Sequence, residues 1–138
     1  MERMTDRTKI VITYICLAIL TVPIHEMGHY VTLKFFGYDI EEVKLLCFKK
    51  AESYNILGLE IENYKLGYVK PKMNKKNLQL NEAYGEYVDF VWVIILFAGG
   101  GSVFVLGLII RCINKTYGNY LIKLGLFTGC WEVFAYLF

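Results

Sequence analysis

The stretch TVPIHEMGHYV, residues 21–31, holds both histidines of the chain, His25 and His29, with Glu26 next to the first. Positions i and i+4 of a helix lie on one face, one turn apart, so both imidazoles reach a single metal ion. Glu26 projects about 100° round the helix from His25 and roughly 60° from His29, from 3.6 residues per turn. It stands beside a metal-coordinated water without filling a ligand position. Zinc lowers the pKa of such a water to about 7, and a neighbouring carboxylate takes its proton. The chemistry predicted is metal-assisted hydrolysis, with Glu26 as general base and a peptide carbonyl polarised by zinc. The plain alternative is a structural cluster of polar side chains.

The surroundings of the motif sharpen the choice. It sits in an apolar run from Ile10 to about Phe36, broken only by Pro23 and HEMGH itself. A charge near the centre of a bilayer costs about 2.5–3.5 kcal/mol on insertion scales, so such groups face a cavity or a partner. Pro23 has no N–H, which takes the helical partner from the carbonyl of Ile19. The kink either opens space beside the histidines or is an ordinary membrane-helix kink.

A hydrolytic zinc takes three protein ligands and keeps an open position. The two histidines leave one ligand to find. Glu132 is the only acid deep in the last apolar run, and two histidines with one glutamate form a hydrolytic zinc set. The expected metal ligands are therefore His25, His29 and Glu132. The alternative for Glu132 is pairing with Lys123 or with a polar group of another helix. Asp89 reads as a solvated helix-start residue and Asp39 as a turn acid.

The elements that must position these groups follow from the distribution of apolar residues. They make up 56% of the 138 residues, with a mean hydropathy of +0.40, above an ordinary soluble domain. They fall in three runs, which predict helices over about 10–36, 87–110 and 120–138; a bilayer crossing takes about 20 residues. Trp92 and Tyr87 suit an interface. Residues 38–82, between the first two runs, alternate apolar and polar in VKLLCFKK and LGLEIENYKLGYVKP. They read as two or three short strands or hairpins, and KPKMNKKNLQLNE as a basic, turn-rich connector. The fold class is thus a mainly α membrane protein, three transmembrane helices with a small β region between the first and second. It forms one membrane-embedded domain over 1–138, integral and multi-pass.

Lysine and arginine stand on both sides of the expected spans, so the positive-inside rule does not orient them. The first run continues past a charged motif and lacks a small-x-small site, which reads as an uncleaved segment. The net charge of +2 and the lack of an arginine stripe with interleaved aromatics give no reason for nucleic-acid binding. None of the four cysteines forms a C-x-x-C pair, so no zinc knuckle or redox pair is signalled. Cys16 and Cys130 fall in apolar runs and read as small buried hydrophobes.

The segment PIHEMGHYVTLKFFGYDI resembles the signature of the site-2 protease family, the intramembrane zinc metalloproteases. The matching positions are His25, Glu26, Gly28, His29 and Gly37. The family places a membrane-associated β region after this helix, and LGLEIENYKLGYVKP is similar in character. FAGGGSV resembles the family's A-G-P-x-x-N element through Ala98 and Gly99, with Gly100 at the proline and Val103 at the asparagine. The D-G group that gives the family its third ligand does not occur in this chain. Gly28 would let another backbone pack near the metal. Gly99, Gly100 and Gly101 allow close helix packing or hold an unwound substrate strand.

The expectation is an intramembrane zinc endopeptidase acting on a membrane protein or apolar peptide, which pairs with the region after Gly37 by strand addition. The rival is an inactive accessory or binding protein with a site-2-protease-like core. A transporter with a metal-sensing site is a weaker third, since three helices form a small pore only as an oligomer.

Overall fold

The computed structural model describes residues 6–50, 54–56, 59–61 and 64–138. The chain is mainly helical with a small strand region. The first helix, α1 (Asp6–Phe35), runs unbroken through Pro23. It ends at Gly37, whose φ of +87° suits glycine. Six short strands follow: β1 (Ile40–Lys44), β2 (Lys49–Lys50), β3 (Tyr54–Ile56), β4 (Leu59–Ile61), β5 (Tyr64–Lys65) and β6 (Tyr68–Pro71). They pair antiparallel as β1 with β6, β2 with β5 and β3 with β4. The pairs are nested, as in a two-stranded ribbon, among the described residues. Every strand of such a ribbon is an edge, which is why Pro71 is tolerated opposite Ile40.

After the hairpin comes α2 (Lys75–Tyr84), where the sequence predicts a turn-rich connector. The reason lies in its ends. The Asn74 side chain caps the helix by accepting from Asn77 N, and Gly85 closes it at φ +53°. A 3-10 turn over Gly85–Tyr87 leads into α3 (Val88–Ile113). The last helix, α4 (Lys115–Leu137), is capped by Asn114, which accepts from Tyr117 N.

α3 is the central element, since both α1 and α4 pack on it. Its contact with α4 is made by glycines. A Cβ on Gly100 would lie 2.5 Å from Gly129 Cα, and one on Gly107 would lie 2.6 Å from Ile122 N. Backbones this close make many dispersion contacts without a side chain between them. At the other end, Leu33, Tyr38, Val91 and Ile95 form a buried cluster that fastens the base of the hairpin to α1 and α3. The Tyr38 hydroxyl donates to Asn81 Oδ1 at 2.6 Å, which ties in α2.

Two helical stretches, Asp6–Phe35 and Lys75–Ile113, are long and apolar enough to cross a membrane. α4 is not, because Lys123, Glu132 and several small polar residues dilute it. Cys16 and Cys130 are exposed, not buried as their apolar neighbourhood predicts. They lie on the outer faces of α1 and α4, where the sequence is as apolar as a core. Asp89 is in the first turn of α3, as expected, and accepts from the Tyr136 hydroxyl at 3.0 Å.

Candidate metal centre

The site forms where α1, α3 and α4 converge. His25 and His29 project from one face of α1 toward α3, with ring centroids 4.8 Å apart and planes at 81°. Glu132, about one and a half turns before the end of α4, reaches into the same space. Its Oε1 lies 2.8 Å from His25 Nε2 and its Oε2 lies 3.1 Å from His29 Nε2. The two Nε2 atoms are 3.2 Å apart. The donor atoms of the three residues all lie within 4.8 Å of one another. The expected ligand set is thus brought together, and Lys123 is not its partner: that side chain is exposed.

The second nitrogen of His29 defines the electrostatics. His29 Nδ1 lies 2.7 Å from the carbonyl oxygen of Ile95. A carbonyl only accepts, so Nδ1 donates and carries the proton. In the neutral ring Nε2 then presents a lone pair to the site. This accounts for Glu132 Oε2, which is buried and has no hydrogen-bond partner although Nε2 is near. Two lone-pair atoms face each other there, and either a proton on Nε2 or a metal cation between them removes the repulsion. A histidine that donates its outer N–H to a backbone carbonyl while its inner nitrogen faces a carboxylate has the arrangement of metal-ligating imidazoles. Two nitrogens with one carboxylate oxygen therefore fit a divalent transition-metal cation.

Gly99 makes room for this geometry. A Cβ there would lie 2.7 Å from His25 Nε2 and equally close to His29 Cε1. Gly99 is also one turn after Ile95, so no side chain shields the Ile95 carbonyl from His29. The three consecutive glycines, which the sequence assigns together, thus have separate roles. Gly99 accommodates the imidazoles, Gly100 the backbone of α4, and Gly101 meets only the Phe97 ring at 3.7 Å. Gly28 does take a neighbouring backbone, the Ala98 carbonyl, with Ser102 Oγ beside it. The Ser102 hydroxyl lies 2.8 Å from the Ile24 carbonyl and holds α1 against α3 at this level.

Glu26 is 8% exposed and, with His25 and Glu132, lines a cavity of about 350 Å³. Tyr64, Leu66 and Gly67 bring the hairpin over it. Gly67 is the point of closest approach, where a Cβ would fall 2.7 Å from Glu26 Cγ. Pro23 lies elsewhere, on a second groove between α1 and α3 with Ile24 and Met27.

Sequence reasoning missed the Ile95 carbonyl and Gly67. The first is a backbone group and has no residue signature. The second is marked only by a glycine in an alternating stretch, a signal for close backbone approach. Comparison with family models, with curated proteins and with solved structures finds no match for this chain.

Proposed function

We propose that the protein is a membrane-embedded, zinc-dependent endopeptidase that cleaves a peptide bond of an apolar or membrane-associated substrate. The observation that carries the reading is the convergence of His25, His29 and the unsatisfied Glu132 Oε2 on one point, beside a cavity that holds a further carboxylate, Glu26. The resemblance of PIHEMGHYV to the site-2 protease signature supports the same reaction class.

The apolar surface supports the membrane setting. Only 11% of the most apolar window of α1, and 28% of that in Lys75–Ile113, is buried inside the protein. Leu20, Val31 and Phe90 each expose more than half of their surface. A soluble protein rarely leaves such contiguous apolar area bare, whereas hydrocarbon covers it without cost. α4 completes a three-helix, multi-pass arrangement, with its acid turned inward to the site and its aromatic face outward.

Zinc bound here supplies Lewis acidity toward the scissile carbonyl and lowers the pKa of water at its open position. The chain's own groups do the rest. Ile95 fixes the ring of His29 through Nδ1, and Glu132 braces both imidazoles from α4. Glu26 takes the proton of the attacking water and returns it to the leaving amine. The cavity walls exclude bulk water, and the hairpin offers unpaired strand edges to an extended substrate.

One observation favours a second reading, an inert accessory protein. The Glu132 carboxylate already bridges both histidines, so the cluster also works as a polar clamp between α1 and α4. Two measurements separate the readings. Stoichiometric zinc, lost in His25→Ala and His29→Ala, establishes the metal centre. Cleavage of a membrane reporter that disappears in Glu26→Gln with zinc retained establishes the enzyme. Zinc without cleavage of any apolar reporter leaves the accessory reading in its place.

A further inference from the structure

The cavity beside Glu26 continues well away from the metal centre. α1 and α4 meet at Tyr14 and Tyr120, where the Tyr120 hydroxyl donates to the Tyr14 carbonyl at 3.3 Å and the rings are 4.7 Å apart. They meet again at His25 and Glu132. Tyr14 and His25 are about 16 Å apart along α1, at 1.5 Å per residue. Between these levels the two helices part, and the cavity lies in the gap, walled by Ala18, Thr21 and Val22 on one side and Leu124, Phe127 and Thr128 on the other. Val103 of α3 forms its floor.

This slot has a polar end and an apolar end. His25, Glu26 and Glu132 stand at the first. Along the walls the two hydroxyls are turned to their own helices: Thr21 donates to Ala18 O at 2.6 Å and Thr128 to Leu124 O at 3.0 Å. The threonine hydroxyls are thus committed to their own helices, and the α1 and α4 walls carry no charge between these levels, with Tyr64 and Trp131 completing the lining. An apolar side chain enters without leaving a polar group unpaired. An acidic one loses its hydration among apolar side chains.

We propose that the slot is the substrate side-chain pocket of the endopeptidase, receiving one bulky apolar residue, of leucine, methionine or phenylalanine size, next to the bond that is cleaved. Ala18 sets its depth, as the smallest side chain in its wall, two turns below His25. The proposal rests on the endopeptidase reading for its link to cleavage. A side chain anchored between α1 and α4 holds the adjoining carbonyl at the histidine end, so binding energy far from the reacting atoms is used for positioning.

The test uses the zinc-loaded full chain in nanodiscs and fluorescent apolar peptides that differ at one central residue, alanine, phenylalanine or aspartate. Binding is read on Glu26→Gln, which isolates the slot from turnover, and cleavage on the unsubstituted protein. The phenylalanine peptide is expected to bind at least about tenfold more tightly than the alanine peptide, the discrimination a well-fitted apolar pocket gives. The aspartate peptide is expected to bind most weakly. Ala18→Phe, made in the Glu26→Gln background, fills the slot and abolishes the preference for phenylalanine while alanine-peptide binding and zinc content remain. If that variant loses zinc, Thr128→Leu narrows the slot from the opposite wall and is read in its place. Equal binding of the phenylalanine and alanine peptides, the result expected if a lipid acyl chain fills the slot, overturns the proposal. So does a preference that survives the filling substitution. Binding with the expected preference but no cleavage retains the pocket and overturns the protease. Cleavage without preference does the reverse.

Discussion

His25 and Glu132, 107 residues apart in the chain, meet with Nε2 2.8 Å from Oε1. With the 3.1 Å approach of Oε2 to His29 Nε2, this contact joins the first helix to the last and turns two histidines into a three-residue centre. Its consequences differ from those of an ordinary ion pair, because the second carboxylate oxygen is buried against the Nε2 of His29.

Glu132→Gln keeps the shape of the side chain and removes its charge. Loss of an outer-shell contact to a metal costs about 10–100-fold in affinity, and loss of a charged ligand is expected to cost more than that. Titration with zinc, followed by metal analysis, reads the change. Chelation of the unsubstituted protein should lower Tm, by about 2.7 kcal/mol of stability where free zinc had stood at a hundred times Kd. Re-addition of zinc should restore it. In His29→Ala chelation should leave Tm unchanged.

Gly99→Ala and Gly101→Ala are adjacent in type and opposite in outcome. At Gly99 the methyl collides with both imidazoles, so zinc binding should be lost and stability should fall by about 1–3 kcal/mol, the range for overpacking. At Gly101 the nearest atom is 3.7 Å away. Alanine there should be neutral or stabilising by up to about 1 kcal/mol, the helix preference of alanine over glycine. Unfolding midpoints and zinc content of the two variants check both statements.

Gly100→Val should separate α3 from α4, because its side chain would enter the backbone of α4 at Gly129. Glu132 rides on that helix one turn further on. Zinc affinity should therefore fall although no ligand has been altered, and the loss should exceed that in Gly101→Val, measured by the same titration.

The joint between α1, the hairpin and α2 depends on Asp39 and Asn77. The buried amide of Asn77 accepts from Asp39 N and donates to the carbonyls of Asp39 and Lys72. Asn77→Ala leaves those backbone groups unpaired and should cost about 1–3 kcal/mol. Lys76 and Asn74 donate to the Asp39 carboxylate, and these hydrogen bonds hold its pKa below the usual aspartate value. A lowered folded-state pKa means that the contribution is complete above the unfolded value of 3.8 and disappears as pH falls through the folded value. Proteolysis of the hairpin should accelerate over that acidic window, and Asp39→Asn should show the faster cleavage already at neutral pH.

Cys16 and Cys130 test the membrane setting. Both are exposed on the protein, so a charged thiol reagent should modify them once the apolar coat is stripped in denaturant. If both helices span, hydrocarbon would cover them in sealed vesicles, and a charged reagent should not reach them there. Rapid labelling of Cys16 in intact vesicles would contradict a span over α1.

The sequence by itself determined what is local or compositional. His25, Glu26 and His29 share one turn of a helix, so their relation is set by 3.6-residue geometry wherever that helix goes. The apolar runs announced three long helices, and the alternation after Gly37 announced strands, since both periods are properties of short segments. Glu132 was legible as a lone acid among apolar residues. Its place beside the histidines could be proposed from chemistry, but not chosen over pairing with Lys123, because facing is decided by how α4 rotates as Gly100 and Gly129 lock. α2 escaped notice because its formation depends on two caps, Asn74 and Gly85, more than on its weak apolar pattern. The cysteines were misjudged because apolar surroundings in a sequence do not say whether protein or hydrocarbon supplies them. Only the tertiary structure decided which backbone groups serve the site. The Ile95 carbonyl that orients His29 and the Gly67 backbone over Glu26 belong to every residue type alike, and only packing can select them.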